Sequence, residues 1–108
     1  MTRKEQVMQK ALIESSRKDM VKEVDKYVQS TIDRYNKANG TMFEKVHNCA
    51  AYAGVDGYTH QQFCKDILAH NANVWETARN IEADVVAGNR DMPTTDELIN
   101  ELPDYMGV

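Results

Sequence analysis

The chain has 108 residues, with 13 Lys and Arg against 17 Asp and Glu, so its formal charge is −4. This length predicts one domain, and 42% hydrophobic residues are enough to build a core without disulfides. The apolar stretches are too short for a membrane span, and the polar N-terminus lacks the apolar run of a secretory signal. We therefore predict a cytoplasmic protein that does not enter a membrane and keeps its two cysteines as free thiols.

Charge is unevenly distributed along the chain. Residues 1 to 45 carry ten basic and seven acidic side chains, whereas residues 46 to 108 carry three basic and ten acidic ones. Proteins that hold nucleic acid by electrostatics alone neutralise phosphates with clustered Lys and Arg. The net negative charge argues against that class, so any DNA binding has to be local.

Hydrophobic periodicity predicts helix nearly throughout. The first pattern repeats every three or four residues, at Val7, Met8, Ala11, Leu12, Val21, Val24, Val28, Thr31, Tyr35 and Ala38. A polar stretch allows a break near Ser16, so the pattern predicts one long N-terminal helix or a helix pair. The stripe from Val21 to Ala38 is too short for a coiled coil. It predicts either a dimer surface, and hence a homo-oligomer, or a face packed on the helices around Phe63 and Trp75.

Turn and cap residues divide the middle of the chain into shorter helices. Asn39-Gly40 ends the first helix. Two capping boxes, Thr41 with Glu44 and Thr59 with Gln62, each predict a helix start. The apolar face expected after the first box is Met42, Val46, Cys49, Ala50 and Ala53. The face expected after the second is Phe63, Cys64, Ile67 and Leu68.

The C-terminal part continues the helical pattern. Asn73 allows either one bent helix or two, carrying Trp75, Ala78, Ile81, Val85 and Val86 and ending at Gly88-Asn89. Thr94 or Thr95 caps a short acidic helix that stops at Pro103. No strand pattern competes, so we predict an all-α bundle of four to six helices. The expected domain spans residues 1 to 90, and an acidic C-terminal segment spans residues 91 to 108.

Residues 49 to 68 resemble the helix-turn-helix of DNA-binding proteins, a motif whose two helices would occupy residues 46 to 69. Ala50 stands where a small residue lets the two helices approach, Gly54 where the turn needs a positive φ, and Val55 where an apolar side chain plugs the corner. This resemblance implies that Tyr58, Gln61, Gln62 and Lys65 face the major groove. There Gln pairs with adenine, and Lys reaches guanine or phosphate. The alternative is two ordinary helices joined by a capped turn.

Zinc binding and catalysis have weaker support in the sequence. Cys49, His60 and Cys64, with either His47 or His70, are zinc-ligand types, yet no closely spaced Cys or His pair anchors such a site. We therefore predict core thiols and no cofactor. There is no Gly-rich phosphate loop or Ser nucleophile elbow, and Cys64 is near His60 only by helical spacing. The sequence predicts a non-enzyme.

The last residues predict a second binding surface. Leu98, Ile99, Leu102 and Tyr105 lie among acidic residues in a segment that either docks in a partner's groove or folds back on the core. Two functions follow from the sequence. The first is a DNA-binding regulatory or recognition subunit; the alternative is an acidic adaptor or inhibitor that binds protein without contacting DNA. A basic surface around Gln61 would favour DNA, and an acidic one would favour protein.

Overall fold

A computed structural model describes the chain from residue 2 to residue 105, apart from the side chains of residues 5 to 15. Over this range the chain forms four α-helices and no strand, which confirms the all-α class and the expected number of helices. The helices are α1 (Arg3–Asn39), α2 (Val46–Ala53), α3 (Gln61–Val86) and α4 (Thr95–Glu101). Within that range no helix combines the length and apolar composition that a membrane crossing requires.

The two long helices, α1 and α3, lie side by side and run in opposite directions. Three contacts between the helices show this direction: Tyr35 with Phe63, Tyr27 with His70, and Arg17 with Glu82. The residue number decreases along α1 while that of its partner increases along α3. The 37 residues of α1 extend about 55 Å at 1.5 Å per residue. Its backbone is helical through Ser16, so the break considered there does not occur. Likewise α3 continues through Asn73 as one helix.

The core lies between α1 and α3 and is closed by α2 and α4. Its buried apolar residues are Val24, Val28, Ile32, Phe43, Cys49, Phe63, Cys64, Ile67, Val74, Ile81, Leu98 and Leu102. The predicted stripe on α1 therefore places Val24 and Val28 inside the chain's own core. Packing within the chain was the alternative to a dimer surface. Self-association of the chain stays a prediction. The side chains of Val7, Met8, Ala11 and Leu12 lie outside the described residues.

Several helix ends are set by the cap residues that the sequence predicts. Gly40 follows α1 with φ +68°, and Gly88 follows α3 with φ +78°, both in the region that glycine adopts without a steric cost. At the start of α4, the Glu97 N–H donates to Thr94 Oγ1 at 3.2 Å, and the Thr94 N–H donates to Glu97 Oε1 at 3.0 Å. The predicted Thr94 cap is confirmed, and its capping box satisfies two backbone donors at once.

The predicted start of the second helix at Thr41 is wrong. Residues 41 to 45 form a loop and α2 begins at Val46, because the Thr41 hydroxyl donates to Asn36 Oδ1 at 2.7 Å instead of capping a helix. Met42, expected on an apolar face, is 91% exposed. Phe43 is the buried residue of this loop.

The turn between α2 and α3 departs from the expected helix-turn-helix geometry. Gly54 has φ −96°, and the positive φ falls instead on Gly57, at +85°. Ala50 is exposed and Val55 is 47% exposed, so neither packs between helices. Helix α3 begins at Gln61, one residue after His60, so Thr59 does not cap it. The turn residues that carry the resemblance therefore occupy different structural roles here.

The C-terminal segment folds back on the body of the chain. Leu98 and Leu102 are 4% and 5% exposed and belong to the core, while Ile99 and Tyr105 pack partly buried against it. The Tyr27 hydroxyl donates to the Pro103 carbonyl at 2.8 Å and fastens the segment to α1. The four residues predicted to bind a partner thus contact the chain itself, which was the alternative considered for them.

Candidate functional site

Four aromatic side chains from three segments line an open cleft at the end of the molecule where α1 finishes and α3 begins. We call it the aromatic cleft, and its rings are Phe43, Tyr52, Tyr58 and His60. The rest of its wall comes from Thr41, Met42 and Glu44 in the loop after α1 and from Asn48 in α2. The cleft holds about 580 Å³ of space.

The four rings form a closed circuit around the cleft. Their centroids are 6.1 Å apart for Phe43 and Tyr52, 4.9 Å for Tyr52 and Tyr58, 5.7 Å for Tyr58 and His60, and 6.4 Å for His60 and Phe43. The His60 ring stands edge-on to two of its neighbours, whereas Tyr52 and Tyr58 are stacked. Spacings of 4.5 to about 7 Å are those of favourable aromatic pairs, so the rings hold one another in place.

Two amide side chains of α1 fasten the loop that carries Phe43. Asn36 Oδ1 accepts from the Phe43 N–H at 3.1 Å, and Asn36 Nδ2 donates to the Phe43 carbonyl at 2.7 Å. Two turns earlier, on the same face of α1, Gln29 Nε2 donates to the Glu44 carbonyl at 2.6 Å. These bonds satisfy loop backbone groups that no helix serves, and they set Phe43 and Glu44 at the cleft.

Tyr35 contacts His60 and orients its ring. The Tyr35 ring stacks on Phe63 with centroids 3.6 Å apart and planes 7° from parallel. Its hydroxyl oxygen lies 2.6 Å from His60 Nδ1, within hydrogen-bonding distance. Burial raises the pKa of the Tyr35 phenol above its ordinary value, so this group stays neutral at physiological pH. The His60 ring is therefore oriented by a rigid, uncharged partner in the core.

Glu44 contributes a negative charge to the wall of the cleft. Its side chain is exposed and makes no ion pair with any other residue in the described part of the chain. Burial raises the pKa of the Tyr58 phenol, which therefore adds no charge at neutral pH. The arrangement places four aromatic rings and one carboxylate around the same cleft.

Exposed apolar side chains surround this end of the molecule. Among the described residues four large apolar side chains are exposed, and three of them, Met42, Tyr52 and Val55, lie in or beside the aromatic cleft. Their exposed fractions are 91%, 44% and 47%. Tyr and Met are enriched in the buried centres of protein interfaces, and a cluster of such residues marks an interaction surface.

Of the four residues predicted to contact DNA, Tyr58 is a ring of the cleft, and the two glutamines contact neighbouring acids. Gln61 Nε2 donates to the Ala53 carbonyl at 3.0 Å and to Asp56 Oδ1 at 3.2 Å, which ties the end of α2 to the start of α3. Gln62 Nε2 donates to Asp66 Oδ1 at 2.8 Å. Tyr58 is half-buried against Tyr52, and the predicted Lys65 is exposed. Each glutamine amide is thus engaged by an acidic side chain, Asp56 for Gln61 and Asp66 for Gln62.

The cysteines and histidines considered for zinc are dispersed. Cys49 and Cys64 are both free and fully buried, whereas His60 turns its Nδ1 to Tyr35. In the part of the chain that the structure describes, no three His, Cys, Asp or Glu side chains are placed to share a metal ion. Burial raises the pKa of Cys49 to about 12 and also raises that of Cys64, which suppresses the thiolate that a nucleophile requires.

Sequence reasoning missed most of the cleft. Of its four rings it identified only Tyr58 as a functional residue, and it considered His60 for zinc. Phe43 was hidden because the capping box at Thr41 placed it within a helix. A signal was present in Asn36, since an Asn in the last turns of a helix often bonds nearby backbone groups. The closure of the circuit depends on contacts between residues 43 and 60, which local patterns do not reveal.

Comparison of the chain with known protein families, with curated proteins and with solved structures gives no match.

Proposed function

We propose that this protein is a non-enzymatic binding module that engages a protein partner through the aromatic cleft, by taking up a Lys or Arg side chain of that partner. The observation that carries the proposal is the circuit of four rings around an open cleft with the Glu44 carboxylate in its wall. This corresponds to the adaptor or inhibitor function among the two that the sequence predicts.

The cleft has the dimensions that cation–π attraction requires. A cation seated among rings whose neighbouring centroids are 4.9 to 6.4 Å apart lies within the roughly 6 Å over which a ring attracts it. Such contacts contribute about 0.5 to 1 kcal/mol each at exposed sites, and an additional carboxylate strengthens them. Residues 46 to 108, with ten acidic against three basic side chains, add a long-range attraction for a basic partner.

The exposed apolar rim favours a protein over a small cation as the ligand. Met42 extends into solvent beside the rings, and its unbranched, polarizable side chain adapts to the shape of a partner. Val55 and Tyr52 add apolar area that a bound protein would bury. A lone small cation would leave all three exposed.

A second copy of the chain is one protein that offers basic side chains, because residues 1 to 45 carry ten. Homo-oligomer formation is therefore a specific form of this proposal. Light scattering that returns the mass of one chain at high concentration would exclude it and leave a different protein as the partner.

The direct test is an NMR titration with acetyl-Gly-Arg-Gly-amide as the probe. We expect the ring resonances of Phe43, Tyr52 and Tyr58 to shift in a saturable way. The matched neutral peptide, with citrulline in place of Arg, should leave them unchanged. Glu44→Gln and Tyr52→Leu should each weaken the binding of the Arg peptide about three- to fivefold. Val86→Ala, an exposed change at the other end of α3, serves as the control.

The DNA-binding interpretation makes an opposite prediction, in which variants of Gln61 and Lys65 matter and Tyr52→Leu does not. If a labelled duplex binds, and Gln61→Ala with Lys65→Ala weakens that binding while Tyr52→Leu does not, the protein is a DNA reader and our proposal fails. Equal binding of the Arg and citrulline peptides would also overturn it, because the cleft would then lack any preference for positive charge.

A further inference from the structure

A second cavity lies at the opposite end of the molecule, where α1, α3 and the segment before α4 meet. It has a volume of about 190 Å³ and is partly enclosed. Its walls are mainly apolar, from Val21 of α1, Trp75 and Val85 of α3, and Met92. Val86, which is 68% exposed, also borders it. The cavity is distant from the aromatic cleft and independent of it.

The rim of this cavity is polar and carries an excess of positive charge. Arg17 and Glu82 stand on opposite helices and pair with each other at 2.9 Å. Arg79 also lines the cavity, is exposed, and forms no ion pair with any residue in the described part of the chain. The cavity lining therefore includes one guanidinium that forms no ion pair with a described residue, beside mainly apolar walls.

We infer that this cavity binds a small amphipathic monocarboxylate, with its unbranched apolar tail inside and its carboxylate on Arg79. Arg binds carboxylates through paired N–H donors in a fixed fork, which suits a headgroup held at a fixed depth. Apolar cavities between the helices of a bundle, with few polar groups at the mouth, are typical ligand sites. Among the described residues that line it, only Arg17, Arg79 and Glu82 carry a charged side chain.

Volume sets the length of the tail. An apolar cavity of roughly 150 Å³ takes up benzene, so about 190 Å³ suits a tail of about six to eight carbons. Each methylene removed from water strengthens binding by about fourfold until the cavity is full. The structure thus predicts a series in which affinity rises with tail length and then levels off.

The single tryptophan of the chain, Trp75, lines the cavity and gives a direct signal. Its fluorescence is to be followed while the full chain is titrated with butanoate, hexanoate, octanoate and decanoate below their micellar concentrations. We expect a saturable change that tightens about fourfold per added carbon up to octanoate. An unsaturable change, or an affinity independent of tail length, would overturn the proposal.

Head-group specificity is tested with octanol and octylamine as probes of the same length. Octanoate should bind more tightly than either, and Arg79→Gln should weaken octanoate about fivefold while leaving octanol unchanged. Lys65→Gln, which removes an exposed cation at the other end of α3, is the matched control and should have no effect. Equal affinities for the three head groups, or an Arg79→Gln variant that binds octanoate normally, would remove the carboxylate from the proposal.

Filling the cavity provides a separate check. Ala78→Leu places three more carbons in the cavity wall and should abolish the octanoate response while the melting temperature shows that the chain is folded. If that variant does not fold, the wild-type series above decides the question alone. Tighter binding of N-acetyl-leucine than of octanoate would assign the cavity to the C-terminal residue of a protein and overturn our assignment.

Discussion

The segments on either side of α3 differ in whether their apolar side chains are buried. Before α3, the turn from Gly54 to His60 is fixed by polar contacts, chiefly the Gln61 amide, and leaves Val55 exposed. After α3, the segment that ends in α4 is fixed by apolar burial of Leu98 and Leu102. The helix-turn-helix resemblance implies the opposite at Val55, where it places a buried plug. For Leu98 the sequence leaves open both docking in a partner's groove and burial on the core.

This difference shows what frees a surface for binding. A turn that is fastened by backbone and amide hydrogen bonds needs no apolar side chain, so its rings and aliphatic groups remain available to a partner. The C-terminal segment also has hydrogen bonds, in the Thr94 capping box, between Arg90 and Glu101, and from Tyr27 to Pro103, but its apolar side chains are buried as well. Because these side chains are buried in the chain's own core, they are not available to a partner. The aromatic cleft accordingly lies at the turn before α3 and not at the C-terminal segment.

The largest expected effect is on stability at Leu98. Leu98→Ala should lower the free energy of unfolding by about 3 kcal/mol, because it removes buried methyl groups and leaves a cavity. Val55→Ala is the matched change in the other segment and should cost less than about 0.5 kcal/mol. Urea denaturation of both variants measures this, and similar costs for the two would refute the contrast drawn above.

The next effect concerns the two glycines of the α2–α3 turn. Gly57→Ala should cost about 1 to 2 kcal/mol, because a Cβ is disfavoured at φ +85°. Gly54→Ala should stabilise slightly, by about 0.5 kcal/mol, since its φ is −96° and no atom lies within 4 Å of an added Cβ. Thermal melts of the pair assign the left-handed position. If Gly54→Ala cost more stability than Gly57→Ala, Gly54 would hold the left-handed position, as the helix-turn-helix resemblance implies.

How far the sequence predicts the structure depends on the range of the contact involved. The caps at Gly40, Gly88 and Thr94 follow from groups within a few residues, and all three were predicted. The start of α2 was missed because Asn36, five and seven residues away, outcompetes the local capping box for Thr41 and Phe43. The positive φ was expected at Gly54 and falls on Gly57, because the resemblance assigns the turn by position and not by the backbone contacts of this chain.

The candidate site was less predictable than the fold for a similar reason. Tyr58 was identified, but the ring circuit needs Phe43 to be brought beside Tyr52 and His60 by a loop that is bonded to α1. Whether an apolar residue is exposed or buried is also a tertiary property. Identical spacing therefore gave wrong expectations for Ala50 and Met42, both of which are exposed.

A smaller effect is expected at the cap of α4. Thr94→Ala should lower the free energy of unfolding by about 1 kcal/mol, because the Glu97 N–H loses its acceptor and the capping box is broken. Thr95→Ala, one residue along and inside the helix, should cost less. Equal costs in denaturant titrations of the two variants would show that the C-terminal segment depends on Leu98 and Leu102 alone and not on its cap.

The smallest effect is a dependence of stability on pH that arises where the C-terminal segment covers His70. The His70 ring is 6% exposed, lies 5.4 Å from the Tyr105 ring and 5.9 Å from the Tyr27 ring, and its Nε2 has no hydrogen-bond partner among the described residues. Burial lowers its pKa below the ordinary 6.5, and the charge of Arg34 lowers it further against the opposing Asp104. The unfolded chain therefore binds a proton first, so the free energy of unfolding should fall as pH drops below 6.5 and stop falling at the folded pKa.

His70→Leu should flatten this slope. Loss of stability near pH 4.5 should remain in that variant, because the Thr94 backbone N–H lowers the pKa of Glu97 in the folded chain. An unchanged slope between pH 6.5 and 5 in His70→Leu would show that His70 titrates freely and that the segment does not seal it from water.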